Sequence, residues 1–449
     1  MEGCYRITGN AQGLLHHTNL ASLNLEGCTA FTRDLRGLCM SLVLSSSSLT
    51  YLNVRGLGLR DSDMRAIGNI LIQSSASRLG HLTVDKWSVK PGGEEMEHQK
   101  GRLNPSDVVL LAGILKFNAS LRSLDLSDQA VCGMHLSDES YTVTGDFFAT
   151  GVTALSDALS VDRSLTKLDL SGNYLFALGV GALVAGVRGS TSLRSLSLEN
   201  TGLCGVYYGG DEGVTGGYDA SGYHQLTDAI AFNTSLTTVN VFRNYLEDDD
   251  VHRICSVAQN KGLSLCDVEP GQTELTLEDG RLEPCDGKLI IWELQDGVHR
   301  AFLDSVDLSK NQFGLTYDRA NELSTWSSTV VVNLVQATKS LAAVNISDIK
   351  LSGFDEDGEG EFDQAGMEAV ADMVTINTAL ASLDASSNVI SDFGNDVTGL
   401  QSLVNAICVS TSLITIDLQC NDLGSGCAKV LAPAMTKSVL QTVDLSQNE

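Results

Sequence analysis

Apolar residues recur along this chain at one fixed spacing, L-x-x-L-x-L-x-x-N-x-L, between Leu20 and Asn448. The fullest copies are LTKLDLSGNYL from Leu165, LRSLSLENTGL from Leu193, LTTVNVFRNYL from Leu236, LDSVDLSKNQF from Leu303, LASLDASSNVI from Leu380 and LITIDLQCNDL from Leu413. Looser copies begin at Leu20, Leu49, Leu79, Leu121, Leu341 and Leu440, and a thirteenth from Gln272 keeps the strand leucines without the first one. Apolar and polar positions alternate through each L-x-L core, which predicts a short strand with one face inward and the other in solvent. The asparagines that follow (Asn173, Asn244, Asn311, Asn388, Asn421 and Asn448, with Cys28 as substitute) stand where the chain leaves the strand. Their amides are expected to bond backbone groups of neighbouring turns, forming an asparagine ladder.

Between the strand motifs, 105–120, 179–190, 366–379 and 399–412 are apolar at the helical period, and Pro105 and Pro284 stand where helices begin, a position that needs no N–H. Neither element can bury its apolar face alone, so copies must stack on one another to make a core. The basic spacing is 29 residues from Leu20 to Leu49, 28 from Leu165 to Leu193 and 27 from Leu413 to Leu440, enough for one strand and one helix. The expected fold is α/β: a right-handed solenoid of about thirteen repeats, a horseshoe with a parallel concave sheet and convex helices, as a single domain over 1–449.

These motifs resemble the long, helix-bearing leucine-rich repeats of the ribonuclease inhibitor type, a class also found in the Ran GTPase-activating protein and in intracellular NOD-like receptors. The resemblance spans Leu20 to Asn448. It implies a non-enzymatic scaffold that binds another protein. GTPase activation of the Ran type and the sensor repeats of an NOD-like receptor are the alternatives it carries.

Several spacings exceed the basic unit: 42 residues from Leu79 to Leu121, 44 from Leu121 to Leu165, 43 from Leu193 to Leu236 and 39 from Leu341 to Leu380. The surplus, at 90–102, 133–145, 204–224 and 353–364, falls after a strand and before a helix, which predicts loops on one rim. The third insertion carries Tyr207, Tyr208, Tyr218 and Tyr223 among glycines, and tyrosine supplies contact area at low entropic cost.

Charge then narrows the partner. With 29 Lys+Arg against 56 Asp+Glu the chain carries a formal −27, which argues against nucleic acid and against an anionic membrane. The side chains predicted to face the concave side form a row in which six of thirteen are aspartate (Asp125, Asp169, Asp307, Asp384, Asp417, Asp444) and none is basic, with Glu199 beside it. A row of carboxylates on a curved wall steers a basic protein surface. The eleven cysteines lie singly with no C-x-x-C pair, as reduced thiols packed like small hydrophobes do, and the first residues lack a basic stretch followed by an apolar core. The reading is an intracellular, cytoplasmic protein, in a cytosolic or cytoskeletal assembly.

Candidate chemistry adds little. Asp355, Asp357 and Glu359 match the first ligands of an EF-hand loop, but Gly366 stands where its bidentate glutamate belongs, so only a weak calcium site is considered there and no metal is expected. The glycines of 177–186 imitate a dinucleotide turn without its third glycine. No nucleophile, zinc or phosphate-loop motif occurs and the eight histidines are dispersed, so neither catalysis nor a cofactor is expected. The last copy closes the sequence on its strand with no polar cap, which predicts either further native sequence or a partner on that edge.

Overall fold

The structure is a computed structural model and describes residues 20–27, 48–99, 101–137, 142–208, 214–278, 280–318, 323–353 and 362–448. Cys28, the adjacent His16 and His17, and the calcium candidates Asp355, Asp357 and Glu359 lie outside these residues. The chain folds into two compact units, Met1–Tyr245 and Leu246–Glu449.

Every one of the thirteen motif copies yields a three-residue strand. In the first unit these are β1 (Ser22–Asn24), β2 (Tyr51–Asn53), β3 (His81–Thr83), β4 (Ser123–Asp125), β5 (Lys167–Asp169), β6 (Ser195–Ser197) and β7 (Thr238–Asn240). In the second they are β8 (Glu274–Thr276), β9 (Ser305–Asp307), β10 (Ala343–Asn345), β11 (Ser382–Asp384), β12 (Thr415–Asp417) and β13 (Thr442–Asp444). Except between β3 and β4, neighbouring strands within a unit are parallel and pair equivalent residues, as in Leu124–Leu168–Leu196–Val239 and Val344–Leu383–Ile416–Val443. Register is set by burial: a slip of one residue would turn every strand leucine outward. Leu165, Leu168 and Leu170 are each fully buried, and burial of such a side chain stabilises by about 2–3 kcal/mol.

Eleven α-helices are seen among the described residues: α1 (Asp61–Gln73), α2 (Pro105–Leu115), α3 (Thr150–Val161), α4 (Phe176–Gly189) and α5 (Ser221–Phe232) in the first unit, and α6 (Asp248–Lys261), α7 (Pro284–Asp296), α8 (Ser328–Ala337), α9 (Ala365–Ile376), α10 (Thr398–Val409) and α11 (Cys427–Lys437) in the second. Both predicted prolines occupy the first helical turn, α2 behind an Asn104–Asp107 capping box and α7 behind a Glu283–Asp286 box. The small residues of α4 serve packing. A Cβ on Gly186 would stand 2.5 Å from the carbonyl oxygen of Ser156 in α3, so glycine here lets two helices approach and need not face a nucleotide.

Two polar ladders bind copy to copy. Asn173, Asn244, Asn311, Asn388 and Asn421 are at most 1% exposed. Asn388 donates Nδ2 to the carbonyls of Ile346, Ala385 and Ser386, and its Oδ1 accepts from the N–H groups of Ile349 and Leu351. The second ladder lies three residues before the first leucine of the copy. Oδ1 of Asn118, Asp162, Asn233 and Asn377 accepts from the N–H of Leu121, Leu165, Leu236 and Leu380, and Ser190 and Ser410 hydroxyls do the same for Leu193 and Leu413. The only trace of this second device in the sequence is the recurring Asn or Asp of FNASL, VDRSL, FNTSL and INTAL, three residues before the leucine.

The first insertion departs from expectation. Instead of looping out at 90–102, the chain turns back after β3 as Trp87–Val89, antiparallel to it, and Glu97–His98 pairs with that strand in turn. Glu95 bridges in parallel to Ser123, and the Glu94 carbonyl accepts the N–H groups of Arg122 and Ser123. The insertion thus supplies backbone partners to the otherwise unpaired edge of β4, with fully buried Trp87 anchoring it. At 133–145 and 204–224 the chain forms short hairpins, His135–Leu136 with Val143–Thr144 and Tyr207–Tyr208 with Val214–Thr215. A further hairpin, Leu315–Asp318 with Leu323–Trp326, was not anticipated, though 38 residues separate Leu303 from Leu341.

Candidate partner-binding surface

The outward positions of the strand layer are set by the pleat. In β5, Lys167 and Asp169 point away from the core while Leu168 is buried between them. Parallel register then lines up Asn24–Asn53–Thr83, Asp125–Asp169–Ser197–Asn240 and Thr276–Asp307–Asn345–Asp384–Asp417–Asp444. Adjacent strands stand about 4.8 Å apart, so Asp384, Asp417 and Asp444 form an unbroken run of carboxylates, and Asp125 stands beside Asp169.

Each of these acids also holds its own backbone. Oδ1 accepts from the N–H two residues on: Asp125 from Ser127 at 2.8 Å, Asp169 from Ser171 at 2.8 Å, Asp307 from Ser309 at 3.0 Å, Asp384 from Ser386 at 3.0 Å, Asp417 from Gln419 at 2.9 Å and Asp444 from Ser446 at 2.8 Å. The Ser446 N–H and hydroxyl hold the Asp444 carboxyl below the usual carboxylate range. Asn24, Asn53, Asn240 and Asn345 make the same bond at their copies. These are Asx turns, and they require a side-chain oxygen, not a charge. The turn therefore accounts for Asp or Asn at this position, and the choice of Asp over Asn is what gives the face its sign.

Part of that charge is already answered. Glu199 accepts from Asn240 Nδ2 at 3.1 Å and pairs with Arg243 at 3.4 Å, Glu278 pairs with Lys310 at 2.6 Å, and Asp307 Oδ2 accepts from Asn345 at 3.0 Å. Such half-exposed pairs add little stability, yet they lower the local potential.

The tyrosine set divides. Tyr223 is fully buried in α5 with Leu226 and Ile230 on the same helix face, so it belongs to the core and not to the rim; the helical period of 221–232 places it inward. Tyr207 is half-buried, its ring 5.4 Å from Tyr174 and 5.1 Å from Phe176 in edge-on contacts. Tyr218 is half-buried, and Tyr208 contributes backbone to the hairpin. The rim also carries Phe148 and Leu178, 52% and 74% exposed, which sequence reading did not single out.

Cys132 and Cys255 thiols are pushed up to about 12, chiefly by burial, so they are protonated and unreactive at neutral pH. No group of His, Cys, Asp or Glu among the described residues could hold a metal ion. No helix among them is long and apolar enough to cross a membrane.

In each unit, parallel strands centred on the second leucine, helices between them and asparagine ladders across copies mark leucine-rich repeats, and the chain is a leucine-rich-repeat protein. Two relatives bear that designation in their names. The chain is 28% identical over 276 residues to the human NACHT, LRR and PYD domains-containing protein 5, and 26% identical over 259 residues to its Bos taurus counterpart, matches that cover 60% and 55% of this chain. It spans about a fifth of their length, 19% and 21%. No model of a known protein family matches. Among solved structures, "Crystal structure of TLR13-ssRNA13 complex" aligns with 96% of this chain and 55% of its own at 14% identity, with a TM-score of 0.31, too low to carry an argument.

Proposed function

We propose that this chain is a non-enzymatic protein-interaction scaffold of the long, helix-bearing leucine-rich-repeat type, binding a partner with a basic surface through the acidic strand face. The observation that carries the reading is the aligned row Asp307–Asn345–Asp384–Asp417–Asp444, in which an uncharged residue would serve the turns equally well. Excess aspartate there adds negative potential that folding does not require, and such potential accelerates and orients encounter with a cationic surface. A solenoid wall curved around that row would focus the field further, and the formal −27 disfavours nucleic acid. A cytoplasmic setting matches the reduced thiols of Cys132, Cys266 and Cys427, buried as small hydrophobes.

The test follows from the Asx turns. Changing Asp307, Asp384, Asp417 and Asp444 together to Asn keeps every Oδ1 acceptor and removes four charges. Affinity capture from extract with both proteins should recover basic partners on the natural chain, and the Asn variant should lose them while its melting temperature stays close to the natural one. Retention of the same partners by a folded Asn variant overturns the reading. A second reading, a sensor repeat region, is favoured by the relatives, whose names join LRR to NACHT and PYD domains. Its test is whether a ligand captured by the repeats alters the state of a longer native protein that contains them.

A further inference from the structure

The hairpins at 133–145 and 205–216 leave their repeats in the same way. Phe148 N–H donates to the Cys132 carbonyl and Asp219 N–H to the Cys204 carbonyl, closing each insertion where it began. Each stem needs a glycine pair with positive φ: a Cβ on Gly145 would lie 2.2 Å from the Gly133 carbonyl oxygen, and one on Gly216 would lie 2.1 Å from that of Gly205. The copy between them, that of β5, has no insertion and puts the short turn Asn173–Phe176 in its place. Rings from three successive copies therefore meet. Phe147 lies 6.1 Å from Phe176, Phe176 lies 5.1 Å from Tyr207, and Tyr174 lies 5.4 Å from Tyr207. Phe176 is held there at φ 51, a conformation its bulk disfavours, with its N–H and that of Leu175 on the Thr201 carbonyl.

The cluster does not end in the core. The tip of the Phe147 ring reaches Gly179, which follows Leu178 in α4, and the next residue, Phe148, lies against Gly133; Leu178 and Phe148 are both left mostly in solvent. Charged groups around this patch carry an excess of carboxylates over the two guanidiniums of Arg102 and Arg243. Asp128, Asp146 and Asp219 are exposed, whereas Arg102 donates to the Leu136 carbonyl and Arg243 pairs with Glu199. An apolar patch rimmed by carboxylates is complementary to one kind of surface. We infer that the aromatic rim of the first unit, ending in Phe148 and Leu178, docks a partner protein segment that presents one or two large apolar side chains flanked by Lys or Arg. This goes beyond the strand-face reading, since it uses other residues, and either can hold without the other.

Phage-displayed random dodecapeptides panned on the full chain test it. Enriched sequences should carry Leu, Phe or Trp beside Lys or Arg. A synthetic peptide of that sequence should bind the natural chain by fluorescence anisotropy, at least tenfold more weakly to Leu178→Glu and Phe148→Ser, and unchanged to the four-fold Asn variant of the strand face. Both rim side chains are exposed, so these variants should melt like the natural chain; a variant that melts lower is replaced by Leu178→Gln. No enrichment, enrichment without cations, or undiminished binding to Leu178→Glu overturns the proposal. Loss of binding in the Asn variant alone assigns the peptide to the strand face and likewise overturns it. A dimer of the natural chain in sedimentation equilibrium that Leu178→Glu dissociates would make a second copy the occupant, again against the proposal.

Discussion

Glu293 offers the most searching test of the packing argument. In six copies the chain enters its strand through a local Asn, Asp or Ser; in the copy of β8 Glu269 stands at that place and its backbone carbonyl takes the Gln272 N–H, while the segment before it, 264–268, is held by a carboxylate from the following helix. Glu293 on α7 is 0% exposed, and its Oε2 accepts from Leu265 N–H at 2.7 Å and from the Ser264 hydroxyl at 3.1 Å. The Ser264 hydroxyl oxygen accepts in turn from Cys266 N–H and Val268 N–H. Oε1 is buried without a hydrogen bond. Burial pushes the Glu293 carboxyl above the usual range, against the pull of its hydrogen bonds, and the thiols of Cys255 and Cys266 pack near it. A carboxyl raised on folding holds its proton more tightly in the folded chain. Its contribution is therefore complete below the unfolded value of about 4.3 and is lost as pH rises through the raised folded value. The stability difference between the natural chain and Glu293→Gln should fall with pH across that window, by up to about 1.4 kcal/mol per unit, and level off above it. Glu293→Ala leaves two donors unpaired in a cavity and should cost about 3 kcal/mol at the acid end of that window, the cost falling with pH as it does for Glu293→Gln. Paired urea titrations followed by circular dichroism measure the difference, and amide exchange at Leu265 and Val268 localises it. Parallel stability–pH curves for the natural chain and Glu293→Gln would refute the argument.

Three further outcomes are expected. Asn388→Ala removes an amide that serves three carbonyls and two N–H groups and should cost about 3–5 kcal/mol, with Asn388→Asp between the two because it keeps only the acceptor; urea midpoints check the order. Gly216→Ala, at φ 99 with its Cβ against the Gly205 carbonyl, should cost about 1–3 kcal/mol and loosen the 205–216 hairpin, seen as faster amide exchange there with the repeat core unchanged. Cys132, with its thiol pushed up to about 12, should escape iodoacetamide in the native chain and react after denaturation, as mass spectrometry would show; prompt native labelling contradicts its burial.

Much of the fold was legible because the repeat is local and redundant. Thirteen copies of L-x-L gave thirteen strands, and the two prolines marked the starts of α2 and α7. Less was legible at the surface. Tyr223 and Tyr207 stand close together in a glycine-rich insertion, and nothing in their spacing says that one is sealed in α5 while the other edges onto Tyr174. The 90–102 stretch reads as a polar loop, because the unpaired edge of β4 that it satisfies belongs to a distant part of the chain. The aspartates of the strand face were legible as a charged row, but their bonds to Ser127, Ser309 and Ser386 show a folding role that the habitual LDLS string already contained.

By itself the sequence determined the period of the solenoid, the residues that face its core, the asparagine ladder and the sign of the strand face, since each follows from spacing within one copy and alternation along a strand. Only the tertiary structure decided which helix supplies the buried acceptor for Ser264 and Leu265, which insertions join the strand layer and which become hairpins, and which aromatics meet across copies on the rim. Those depend on approaches between residues more than a repeat apart, where the free energy lies in unpaired backbone groups and apolar surface that no single copy contains.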